Sequence, residues 1–139
     1  MKNYDVIIIG GGAAGLMCAI EVSKRGRSVL VVEKSKSVGE KIRISGGGRC
    51  NFTNKKVSKD NFLSNNVHFC ISALKKFTQD DFIEMVEKHE IKYHEKTLGQ
   101  LFCDISAKQI IQMLLGECEK YGAEIVLNIN IEGVIKADD

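Results

Sequence analysis

The run YDVIII, residues 4–9, passes without a spacer into GGGAAG, residues 10–15, and then into an apolar helical stretch. No other feature restricts the possible folds as strongly. A short β-branched run bounded by glycine reads as a strand buried on both faces of a parallel sheet. Residues 16–24 read as helix, with Leu16, Ala19, Ile20 and Ser23 on one face and Gly26 placed to end it. SVLVVE, residues 28–33, is a second buried strand. Strand, glycine turn, helix and strand in this order form a βαβ unit, so the expected fold class is α/β and Rossmann-like, with a parallel sheet.

Gly10, Gly12 and Gly15 stand as GxGxxG directly after a strand and directly before a helix, the context in which this spacing carries meaning. Gly10 permits the tight turn, Gly12 removes a Cβ so that a pyrophosphate can approach the backbone, and Gly15 lets helix and strand pack closely. Ala13 and Ala14 lie at the helix N-terminus, where free N–H groups face the phosphates and the dipole adds roughly 0.3–1 kcal/mol. The pattern continues through Ala19, Gly26 and Val29 to Glu33, about 20 residues on, where a carboxylate accepts from ribose hydroxyls. The same charge repels a 2′-phosphate. FAD and NAD both remain open at this point, and NADP is disfavoured at this site.

Beyond Glu33 the signals are weaker. Residues 34–66 are polar and read as a long irregular connection, of the kind that is functional or disordered. Helices are expected over 67–77 and over 78–88, the second capped by Thr78 with Asp81 and facing Phe82, Ile83 and Val86 inward. Residues 91–95 and 100–103 read as a hairpin. Ser106 and Gln109 open an amphipathic helix whose apolar positions are Ile110, Ile111, Leu114, Leu115, Cys118 and Tyr121, closed by Gly122. Residues 123–131 then form a third buried strand, with 132–136 turning toward another. No linker separates two parts, so one domain over 1–139 is expected.

Composition excludes several classes. With 44% hydrophobic and 27% charged residues the chain is globular, and a formal net charge of +2 gives no bulk attraction for a nucleic acid or a membrane, so neither partner is expected. The uncharged stretch after Asp5 is broken by three glycines and falls short of the ~20 residues a span requires. Five cysteines at irregular spacing, without a CxxC pair, point to reduced thiols and a cytoplasmic location. His89, Glu90 and His94 miss the HExxH spacing by one residue, so no metal is expected. Lys24, Arg25 and Arg27 at a helix end, and Lys55 and Lys56 in a loop, read as solvated charges.

The stretch GEKIRISGGGRCNFTN, residues 39–54, following GGGAAG and VVEK, resembles the flavoprotein family that includes bile-acid reductases and aminoacetone oxidases, often called BaiN-like. Weaker similarity continues through LGQLFCDISAKQI and GAEIVLNINIEGVIK. The resemblance implies an FAD bound extended, with adenosine at Glu33 beside Lys34, pyrophosphate over residues 12–15, and the isoalloxazine end near the loop 46–51. By the same resemblance Gly47, Gly48, Arg49, Cys50 and Asn51 contact the flavin end, Lys41 approaches the phosphates or the flavin, and main chain around Ile131 contacts adenine. Three consecutive glycines let main chain lie flat against a ring system. The chain departs from the family in carrying Phe102-Cys103 where a Phe-Pro pair is usual, and in length: family members are longer, with a substrate domain and a returning C-terminal segment.

The leading expectation is therefore the N-terminal FAD-binding portion of a flavin-dependent oxidoreductase, with NAD(P)H as a candidate electron donor. The alternatives are a nucleotide-binding module without catalysis and the NAD-binding domain of a dehydrogenase. No residue reads as a general acid or base, and the substrate is not legible. Cys50 reads as a packing residue, or as a redox thiol if Arg49 lowers its pKa. With only three strands in the sheet, exposed edge and apolar surface are expected, and with them self-association.

Overall fold

The structure is a computed structural model that describes residues 2–136. It contains two compact units: the first runs to Ile42 and resumes at Leu114, and the second is Arg43–Met113. The divisions fall inside helices, α2 (Glu40–Ile44) and α5 (Lys108–Lys120), which is why no linker composition marks them.

In the first unit β1 (Val6–Ile9), α1 (Ala13–Ser23) and β2 (Val29–Val32) form the expected βαβ, and β6 (Glu124–Val126) pairs with β2. The order is β1-β2-β6, all parallel, with Ile8 opposite Val31 and Val31 opposite Ile125. Central β2 is the well-covered strand, and Val29, Val31 and Val32 are buried. Leu16, Ala19 and Ile20 of α1 are fully buried, and the Cys118 thiol donates to the Leu16 carbonyl at 3.7 Å. Burial of β1 on both faces is not observed: Ile7 is 59% and Ile9 62% exposed. The residues alternate because β1 is an edge strand, and β-branched composition fits a half-buried strand as well as a buried one.

The expected third strand is also shorter. It ends at Val126, and residues 127–136 carry no regular structure. Asn128 takes φ +59, a left-handed conformation that Asn tolerates and a strand does not. The N–H groups of Asn128 and Ile129 then donate to the carbonyls of Ser35 (3.2 Å) and Glu33 (3.0 Å).

The second unit holds a three-stranded antiparallel sheet in the order β3-β5-β4. The anticipated hairpin is β4 (Tyr93–Glu95) and β5 (Gln100–Cys103); β3 (Asn51–Asn54) was not anticipated, because it lies inside the polar stretch read as a loop. Phe52 on β3 gives that strand its apolar anchor, with ring centroids 5.4 Å from Tyr93 and 6.1 Å from Phe82. The helix expected over 67–77 shrinks to α3 (Ile71–Lys76), whereas α4 (Gln79–Lys88) forms as read. Thr78 caps it: the Asp81 N–H donates to Thr78 Oγ1 at 3.2 Å, and Asp81 Oδ2 accepts from the Thr78 N–H at 2.7 Å. On α5 the Lys108 N–H donates to Ser106 Oγ and the Ser106 N–H to Gln109 Oε1. Its Ile110, Ile111, Leu114 and Cys118 are buried, but Tyr121 is exposed, one position past the helix end.

Candidate functional site

The turn from β1 into α1 is built as the glycine spacing requires. Gly10 has φ +103 and donates its N–H to the Val32 carbonyl at 2.8 Å, tying the turn to β2. A Cβ on Gly15 would sit 2.0 Å from the Gly10 carbonyl oxygen and 3.3 Å from the Ile8 side chain. Only glycine lets the helix approach the strand this closely. Gly12 is different: it is extended (φ −82, ψ −176), and a Cβ there meets nothing within 4 Å. Its side of the turn faces open space, and no side chain caps α1 or places an acidic group in its first turn. The N–H groups of the first turn, around Ala13, Ala14 and Gly15, therefore have no side-chain cap, and a helix N-terminus of this kind favours an anion.

Glu33 closes this turn from β2. Its Oε2 accepts from the Gly11 N–H at 2.7 Å and its Oε1 from the Ser35 N–H at 2.7 Å. The Ser35 and Gly11 N–H groups favour the ionised carboxylate and hold its pKa below the ordinary range. Gly11 was not singled out from the sequence, yet its carbonyl also accepts from the Gly39 N–H at 2.9 Å, and a Cβ on it would lie 2.6 Å from Val38. The signal was present as the middle glycine of the GGG run and the glycine of SVGEK.

Lys34 and Lys41 are exposed in the same unit. Ile131 is not in a strand and is exposed, because the strand has ended at Val126; the main chain that meets residues 33–35 is that of 128–129.

In the second unit Gly46, Gly47 and Gly48 all adopt left-handed φ (+57, +65 and +85), followed by Cys50 at +51. A Cβ on Gly46 would lie 2.6 Å from the Phe102 ring and 2.8 Å from the Asn51 nitrogen, while Gly47 and Gly48 face open space. The loop is pinned by its carbonyls: Gly48 accepts from the Ala107 N–H at 2.7 Å and Arg49 from the Cys103 N–H at 2.9 Å. The Arg49 and Asn51 side chains are exposed. Cys50 is buried, and burial raises its thiol pKa, with Ser45 as a lesser opposing hydrogen bond. Burial of the thiol fits the packing reading of Cys50. Burial likewise pushes Cys103 up to about 11.

Among the described residues no three His, Cys, Asp or Glu side chains group as metal ligands, and no helix is long and apolar enough to cross a membrane. His89 follows the end of α4, while His94 is on β4, its Nδ1 2.7 Å from Asp104 Oδ1.

The comparisons with known proteins agree with this architecture. The family described as HI0933-like protein Rossmann domain matches residues 4–139. The ribosomal RNA dihydrouridine synthase of Escherichia coli K12 is 54% identical over 136 residues, 98% of this chain and 34% of that protein. The 3-dehydro-bile acid delta(4,6)-reductase of Clostridium scindens is 26% identical over 131 residues, 91% of this chain and 32% of that protein. The crystal structure of halogenase PltM in complex with phloroglucinol and FAD aligns at TM-score 0.52 and 24% identity, over 99% of this chain and 30% of that one, a likeness of fold. The chain thus spans about a third of the length of the curated relatives it matches. With the family match covering the βαβ turn, Glu33 and the glycine loop alike, the chain belongs to the HI0933-like protein Rossmann domain family.

Proposed function

We propose that this chain is the FAD-binding portion of a flavin-dependent enzyme that reduces uridine to dihydrouridine in ribosomal RNA. The observation that carries the reading is the 54% identity over 98% of the chain to a ribosomal RNA dihydrouridine synthase. The first unit fits the cofactor: Gly12 leaves room for a pyrophosphate against the α1 N-terminus, and the Glu33 carboxylate, already oriented by two N–H groups, accepts from the adenosine ribose. Lys34 and Lys41 add positive charge for the phosphates. In the second unit Gly47, Gly48, Arg49 and Asn51 are assigned to the flavin end, on the support of a loop that presents main chain without Cβ atoms in its way. FAD, when bound, supplies the two-electron chemistry, and NAD(P)H is the proposed donor. The net charge of +2, which led to no expectation of a nucleic-acid partner, averages over the chain and does not describe any one surface.

Two measurements test this. Gly12→Val is expected to fold normally, since a Cβ there meets nothing and φ is ordinary, yet to purify without yellow colour. Stoichiometric FAD in that variant, read from the visible spectrum, would overturn the cofactor assignment. The second is nucleoside analysis of ribosomal RNA from cells lacking the protein. The dihydrouridine content should fall and return on complementation; an unchanged dihydrouridine content sinks the substrate assignment.

A further inference from the structure

The stretch 55–77 stands apart from the rest of the second unit. It carries Lys55, Lys56, Lys59, Lys75 and Lys76 against Asp60 alone, a net of +4 in a chain whose total is +2. Lys55 pairs with Glu95 and Lys59 with its neighbour Asp60, but no ion pair engages Lys56, Lys75 or Lys76 among the described residues. Large apolar side chains stand in solvent between these charges: Phe62 is 46%, Val67 60% and Phe69 79% exposed, and Leu63 is fully exposed. The two ends of the stretch meet at a cleft of about 430 Å³, lined by Val57, Lys59, Ile71, Leu74, Lys75 and Thr78. Its volume is within the ~300–1,000 Å³ range of small-molecule sites, and its walls are apolar with lysines among them.

Exposed aromatics interleaved with lysines, three of which have no ion pair among the described residues, are costly for a surface that meets only water. They match the needs of an unpaired polynucleotide, whose bases stack on aromatic faces while its phosphates attract ammonium groups. We infer that the surface of residues 55–77 is a docking site for a single-stranded segment of ribosomal RNA. Phosphates lie along Lys56, Lys59, Lys75 and Lys76, bases stack on Phe62 and Phe69, and one splayed base enters the cleft between α3 and residues 57–59. This inference rests on the ribosomal RNA reading above and deepens it by placing the substrate on named residues.

The test uses the whole protein and a fluorescein-labelled 12-nucleotide single-stranded RNA, with fluorescence anisotropy read between 50 and 200 mM salt. The triple variant K59Q/K75Q/K76Q should bind about tenfold more weakly or worse and flatten the salt slope by about 2, at ~0.7 per lost phosphate contact. Phe69→Ala should weaken binding by about 5- to 140-fold with the slope unchanged, because stacking carries no counterion release. The variant K24Q/R25Q/R27Q, altered in the first unit, should bind as wild type, and circular dichroism should show all three folded. Unchanged affinity and slope in K59Q/K75Q/K76Q, or an equal loss in K24Q/R25Q/R27Q, overturns the docking site. Dihydrouridine formation by the wild type is measured alongside. Product formation with unaffected variants refutes this surface and spares the enzymatic reading, whereas RNA binding through this surface without any product refutes the enzymatic reading and spares the surface.

Discussion

Gly15→Ala is expected to destabilise the first unit by about 3 kcal/mol, the upper part of the range for overpacking a close contact. The added Cβ would stand 2.0 Å from the Gly10 carbonyl oxygen, a backbone atom that cannot rotate away. Relief requires α1 to withdraw from β1, and with it the Leu16, Ala19 and Ile20 face that covers the sheet. Ala ordinarily favours a helix by up to about 1 kcal/mol over Gly, so the sign of the change separates the two effects. Chemical denaturation followed by circular dichroism reads the result. A midpoint equal to or above that of the wild type would show that the approach of helix and strand is looser than 2.0 Å implies.

Glu33→Ala removes the acceptor shared by the Gly11 and Ser35 N–H groups. Hydrogen bonds to a charged partner are worth about 1.5–3 kcal/mol when well shielded, and this carboxylate is only half-buried, so a loss of about 1–2 kcal/mol is expected at neutral pH. The pH dependence has a defined sign. The folded carboxylate has its pKa held below the ordinary 4.5, first by the Ser35 and then by the Gly11 N–H. Its stabilisation is complete above pH 4.5 and is lost as pH falls below that value through the folded pKa. The stability gap between wild type and Glu33→Ala should therefore narrow in acid. Asp5, held down by Ser28, and Asp81, held down by Thr78, contribute acid sensitivity to both proteins and leave the gap unaffected. A gap constant from pH 7 to pH 3 would mean that the carboxylate's charge contributes nothing.

These expectations show where the fold was legible. Between residues 4 and 33 the period of the apolar residues, the glycine positions and the acidic residue at the strand end all point to one arrangement, and the structure has it. Thr78 and Asp81 were equally readable, because a capping box depends on a three-residue spacing alone. What was not legible depends on partners distant in sequence. β3 is a strand because β5 lies beside it and Phe52 meets Tyr93, neither of which shows in the polar run 51–54. β1 is half exposed because it is an edge strand, a fact of topology that YDVIII does not encode. At Ile131 the strand pattern persisted in the residues, but Asn128 had already turned the chain.

Gly12 and Gly15, three residues apart, answer to different demands: a side chain at one meets empty space, and at the other a carbonyl oxygen. Selection can therefore release them separately. If the proposed pyrophosphate position over Gly12 holds, a descendant that abandons its dinucleotide but keeps its shape would be free to drift at Gly12 while still forbidden to change Gly15. On that proposal, inspecting the single position would sort cofactor-holding members from retired ones before any protein is made.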